Sequence, residues 1–183
     1  MVEIQIHAGQ MAKLVERVKH IENGVKRVLV PSINRALASG KTVIKKEIRE
    51  HYVIKAKDIP MTVSRSTYGA ATVGGSIKIQ QGMLDLGKFN VKPRGVQRRK
   101  NKKPIWAQVK KGGGGFIKSA FYIPAGGPYS RIGPSRFPIF KLKTISAAIM
   151  ATQPSVGPAA NKKMGDTLDK RLDHELKRVL AGA

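Results

Sequence analysis

The chain has 183 residues, 41% of them hydrophobic and 5% aromatic, with 19 Gly and 10 Pro in no repeating arrangement. That balance excludes collagen-like and coiled-coil architectures and argues against full disorder, and the length suits one domain with extensions. The 35 Lys and Arg against 11 Asp and Glu give a formal charge of +24, which calls for a partner that supplies negative charge.

With no Cys, disulfides, thiolate catalysis and zinc ribbons are excluded. His7, His20, His51 and His174 stand far apart without ligand spacing, so no metal or cofactor site is expected. No apolar run approaches the roughly 18 residues of a membrane-spanning helix, and Met1 to Ile6 lack the basic flank and apolar stretch of a signal peptide. A cytosol-like compartment is the expectation.

In chain order, Met11, Leu14, Val15, Val18, Ile21, Val25, Val28 and Leu29 recur at helical spacing and predict an amphipathic helix over 10–29. Pro31 interrupts, Ser32 can cap a new start, and Ile33, Ala36, Leu37, Ile44 and Ile48 carry the period to about Glu50. Two helices broken at Pro31 and one helix running through it fit equally well. Pro60 then marks an extended or turning segment. Val73, Ile77 and Ile79 share parity against Lys78 and Gln80, which predicts a half-buried strand with a bulge at Gly74 and Gly75. Met83, Leu84, Leu86 and Phe89 form an apolar knot anchoring a loop on the core.

Ile105, Ala107 and Val109 lie on one face of a strand, and 116–123 reads as its hairpin partner across the four glycines 112–115. Those glycines lack the context of a phosphate-cradling loop and predict a mobile hairpin tip. Tyr129 to Ile132 and Phe137 to Leu142 extend the same sheet, 143–150 is ambiguous, and Pro154, Gly157 and Pro158 mark a linker over 153–160. Met164, Leu168, Leu172, Leu176, Val179 and Leu180 carry a final helix from about 161 to 180. The expectation is an α+β fold with N-terminal helices (about 10–50), a central antiparallel sheet (about 71–142) holding a long basic loop, and a C-terminal helix. Residues 1–152 form the domain, and 153–183 the linker and last helix.

Charge is distributed unevenly. The 80 residues from Leu86 to Gly165 contain no acid and 17 Lys or Arg. In the densest piece, 92–103, 7 of 12 residues are cationic, which makes Lys92, Arg94, Arg98, Arg99, Lys100, Lys102 and Lys103 candidates for polyanion contact. Trp106 just beyond could stack on a base. With few aromatics, any contact is to backbone and independent of sequence, and an acidic protein surface suits the run equally well. Catalysis needs positioned acids, bases or metals, and a stretch without one carboxylate offers none, so no enzymatic activity is expected.

Two segments, Asn34-Arg35-Ala36-Leu37 and Lys45 to Ile59, resemble the minor tail protein Z family of long-tailed bacteriophages and prophages. The most specific portion is Arg49-x-x-Tyr52-x-Ile54-Lys55-x-x-Asp58-Ile59, which joins a helix end to an extended segment. Ile77 and Ile79, Leu84 and Phe89, 117–121, and Arg131 through Ile139 to Leu142 and Met150 continue the pattern in order. The resemblance implies a tail-completion protein in the neck at the head-proximal end of the tail, ring-forming around the DNA channel, with six copies as the family expectation. It also implies neighbours among tail terminator, tube and head-connector proteins, in the virion and, during assembly, in the host cytoplasm. The charge alone leaves a second possibility, a free non-specific nucleic-acid-binding protein of ribosomal or nucleoid type.

Overall fold

The computed structural model describes residues 2–4, 16–17, 19–21, 23–68, 73–97, 103–123 and 126–182. The fold is α+β, with long helices and several small antiparallel sheets. The elements are β1 (Val2–Ile4), α1 (Gly24–His51), β2 (Met61–Tyr68), β3 (Val73–Ile79), β4 (Met83–Asp85), β5 (Asn90–Lys92), β6 (Ile105–Gln108), β7 (Gly115–Ile117), β8 (Ala120–Ile123), β9 (Gly127–Arg131), β10 (Ile139–Lys141), β11 (Lys143–Ser146), α2 (Ala147–Ala151) and α3 (Val156–Ala181). Single 3-10 turns occupy Ala56–Asp58 and Leu86–Lys88.

The chain divides into two compact units. The first comprises Met1–Lys45, Met61–Ile79 and Gln153–Ala183, and the second Lys46–Pro60 and Gln80–Thr152. Residues 153–183, read from the sequence as a linker and helix outside the domain, thus belong to the same unit as most of α1.

Helix α1 passes through Pro31 without ending, which resolves the choice left open by the sequence. Proline removes one backbone donor, a loss of about 3 kcal/mol in an exposed helix. Here Val28, Leu29, Ile33, Ala36, Leu37 and Ile44 are all fully buried on one stripe, which outweighs it. Ser32 sits inside the helix, donating its hydroxyl to the Val28 carbonyl at 2.8 Å, and caps nothing. The helix expected over 10–29 does not run through: Lys19 and His20 are in a turn, Asn23 has φ 55°, and α1 starts at Gly24. Asparagine tolerates that left-handed conformation, which ends any helix arriving from upstream. Met11, Leu14, Val15 and Val18 lie outside the described residues.

In the first unit β3 is the middle strand between β1 and β2. The register of β2 against β3 shifts between Ser64 and Thr67, opposite Ser76 and Gly74, so the extra residue lies on β2: the bulge expected at Gly74 and Gly75 is on the partner strand, facing the glycines rather than formed by them. Helix α3 begins at Val156 and includes Gly157 and Pro158, where a linker was expected. A first-turn proline loses no helical hydrogen bond, so it does not delay the start. Val156, Ala160, Met164, Leu168, Leu176 and Val179 are buried along one face, whereas Leu180 is exposed.

The second unit holds three small sheets in place of the single continuous one expected: β5-β6-β7, β8-β9-β10, and β4 with β11. The predicted hairpin is real over β6 and β7, with Ile105 opposite Ile117 and Trp106 opposite Phe116. It does not continue to 123, because Lys118 and Ser119 turn, with Ser119 at φ 59°, and Ala120 opens a strand that pairs with β9 instead. Leu86, Val91, Ile105 and Ala120 form a core with Ala107, Val109, Ile117, Tyr122 and Leu142 packed around it. The apolar knot is buried at Leu84, Leu86 and Phe89, but Met83 is 69% exposed. The ambiguous stretch 143–150 is strand β11 followed by α2, which Ser146 caps by accepting from the Ile149 amide.

Candidate functional site

The basic loop leaves β5 at Lys92 and returns to β6 at Ile105. Of its candidate residues, Lys92, Arg94 and Lys103 are described and exposed, and Arg98, Arg99, Lys100 and Lys102 lie outside the described residues. Gln97 ties the base of the loop: its amide Nε2 donates to the Lys103 carbonyl at 2.9 Å and its Oε1 accepts from the Lys103 amide at 2.6 Å. Arg94 is engaged differently, since Nη2 donates to the carbonyl of buried Phe89 at 2.9 Å. It therefore braces the turn that precedes β5 as well as carrying charge. Val96, the one clearly apolar residue of the run, is 60% exposed, in keeping with a segment too polar for the core.

Trp106 stands on β6 between Lys92 of β5 and Phe116 of β7. Its indole packs on Gly114, where an added Cβ would lie 2.9 Å from Cε2. Gly114 is thus a seat for the ring rather than part of a free tip, and Gly112 at φ 77° makes the turn before it. That contact covers part of the side chain proposed above for base stacking, which is only partly exposed.

A second basic feature escaped the sequence reading. A cleft of about 340 Å³ in the second unit is rimmed by Arg49, Lys55, Lys88, Arg94 and Lys111, with no acidic residue in its lining. Its floor is Tyr52, Ile54 and Phe89, which are 2%, 6% and 1% exposed. Local backbone chemistry brings these groups together. As α1 ends, Tyr52 bridges Lys110, the Val53 amide donates to the Val109 carbonyl at 2.9 Å, and the Lys111 amide donates to the His51 carbonyl at 2.9 Å. Those bonds place Lys111 beside Arg49 and Lys55. The Leu86–Lys88 turn, closed by the Phe89 amide on the Leu86 carbonyl at 3.0 Å, brings Lys88 to the other side.

A counter-charge at the rim is Glu50, whose Oε2 is 4.0 Å from Lys111 Nζ, with both side chains more than half exposed. A pair that long and exposed neutralises little. On α1 in the first unit, partial burial and then the neighbouring Lys41 push the Lys45 ammonium below its usual range. Among the described residues no group of three His, Cys, Asp or Glu gathers that could hold a metal ion, and no helix is long and apolar enough to cross a membrane. Arg49, Tyr52, Ile54 and Lys55 belong to the motif at 49–59, and this was the signal available in sequence. No family model, curated protein or solved structure matches the chain.

Proposed function

We propose that the chain is a structural, non-enzymatic component of a phage tail, a tail-completion protein that forms a ring around the DNA channel at the head-proximal end. The observation that carries this reading is the concentration of charge in one unit. Lys46–Pro60 with Gln80–Thr152 holds 19 Lys or Arg against 4 acidic residues, and it includes the motif at 49–59. A ring subunit needs one strongly basic face toward a passing polyanion or an acidic neighbour, and little else in the way of chemistry. In the motif, Tyr52 and Ile54 are buried anchors while Arg49 and Lys55 stand on the rim of the basic cleft, so the segment is a structural joint with charge displayed around it.

The test is to label the protein and image intact particles. Density or label at the head-proximal end of the tail is the expected result. Absence from particles, with co-purification on ribosomes or bulk nucleoid, would replace this reading by that of a free nucleic-acid-binding protein.

A further inference from the structure

We infer that the cleft rimmed by Arg49, Lys55, Lys88, Arg94 and Lys111 is a binding site for a linear polyphosphate group, an assignment that stands on the cleft alone and does not depend on the tail reading. Four separate pieces of chain converge there: the exit of α1, the 3-10 turn at Leu86–Lys88, the segment after β5, and the turn after β6. Solvated lysines normally spread apart, because like charges repel across a few ångströms even in water. Five cations around one concavity, with Glu50 as the nearby acid, form an arrangement that an anion stabilises.

The ordinary structural explanation covers only part of the set. Arg49 lies in the last turn of α1, where a cation complements the helix dipole. The helix end is already partly satisfied, because the Ile48 carbonyl accepts from Tyr52 and the His51 carbonyl from Lys111. Lys55, Lys88 and Lys111 lie outside α1, so a place in its last turn does not account for them. The buried floor of Tyr52, Ile54 and Phe89 holds the backbone beneath them, so a ligand has only the exposed side chains of the rim to order. At about 340 Å³ the cleft falls at the small end of ligand sites, enough for a phosphate group or a short run of them. Charge-assisted hydrogen bonds from several ammonium groups suit oxygens that each carry negative charge, which distinguishes polyphosphate from a single carboxylate.

Isothermal titration of the full chain with inorganic tripolyphosphate tests the site. The variant K55Q/K88Q/K111Q leaves Arg49 and Arg94 in place, since both have structural work, and should bind about a hundredfold more weakly. The control variant K162Q/K163Q/K170Q removes the same charge from exposed positions of α3 and should change affinity less than about twofold. Shifts of the Phe89 and Asn90 amides on titration should accompany binding. Equal weakening by the two variants, or no binding by the wild-type chain at low salt, overturns the proposal. Displacement of tripolyphosphate by a duplex oligonucleotide identifies a phosphodiester backbone as the source of the phosphates, and resistance to displacement identifies a free polyphosphate. Both readouts are independent of where the protein sits in a particle.

Discussion

Gln97 and Lys103 clasp each other across the base of the basic loop through two hydrogen bonds, one in each direction between a side-chain amide and a backbone peptide. Six residues apart in sequence, they hold together the two described ends of the most cationic stretch of the chain. Both partners are exposed to water, so each bond contributes at the low end of about 0.5–1.5 kcal/mol. Gln97→Ala should leave the melting transition nearly unchanged while lowering hydrogen-exchange protection of the Lys103 amide about fivefold. Unchanged protection would mean that the clasp does not persist in solution.

The charge of the loop can be tested apart from its geometry. Arg94 braces the Phe89 carbonyl, so it stays, and Arg98, Arg99, Lys100, Lys102 and Lys103 are replaced together by Gln. If these five neutralise phosphates, wild-type affinity for duplex DNA should fall with log salt at a slope of about −4.5, and the variant should lose that slope while folding normally. An unchanged slope, with failure to assemble on the tail, would show instead that the loop grips an acidic protein neighbour.

Gly40 and Met164 report on the core of the first unit. A Cβ at position 40 would lie 2.6 Å from Met164 Cγ and 3.3 Å from Ile77 Cδ1. Gly40→Ala gains about 1 kcal/mol of helix propensity but suffers overpacking of about 1–3 kcal/mol, and should be net destabilising by about 1 kcal/mol. In a Met164→Ala background the same substitution meets space and should stabilise. Urea unfolding of the four-protein cycle measures the coupling, and a single sign in both backgrounds would refute the packing account.

These cases also mark what was legible in the sequence. The stripe from Val28 to Ile48 and the face from Met164 to Val179 are periodic, and periodicity is local information. The role of Gly40 is not, because its neighbour arrives from the far end of the chain. Nor could local pattern show that Ser119 would turn at φ 59° and send Ala120 to a different sheet. The cleft is the clearest example. Arg49 and Lys111 are brought together by the Tyr52 to Lys110 bridge, a pairing that neither segment encodes alone, so a charge count found the contiguous loop and missed the convergent site.

Lys141 and Asp85 join β10 to β4, with Nζ donating to Oδ2 at 2.8 Å between half-buried side chains. The hydrogen bond to Asp85, together with the attraction of its charge, holds the Lys141 ammonium above its ordinary value of 10.5 despite some desolvation. A raised folded-state value means that the folded chain retains this proton more tightly than the unfolded chain. The stabilisation is therefore complete below pH 10.5 and is lost as pH rises through the folded value. Unfolding midpoints of wild type and Lys141→Met, compared at about pH 8 and about pH 11, should differ more at the lower pH. A gap that widens toward alkaline pH would contradict the linkage.

Trp106 is the chain's one tryptophan, so its fluorescence reads a single environment. The indole rests on Gly114, and a methyl group there cannot fit without moving the ring, which is bulky and stiff. Gly114→Ala should red-shift the emission as the ring is displaced toward water, and should destabilise the protein by about 1–3 kcal/mol. The same signal decides whether the tryptophan takes part in nucleic-acid contact. Because the side chain is held within its own sheet, between Lys92 and Phe116, duplex or single-stranded DNA added to the wild type should leave emission nearly unchanged even where binding is seen by other means. Strong quenching in step with binding would show that a base stacks on the part of the partly buried indole that Gly114 does not cover.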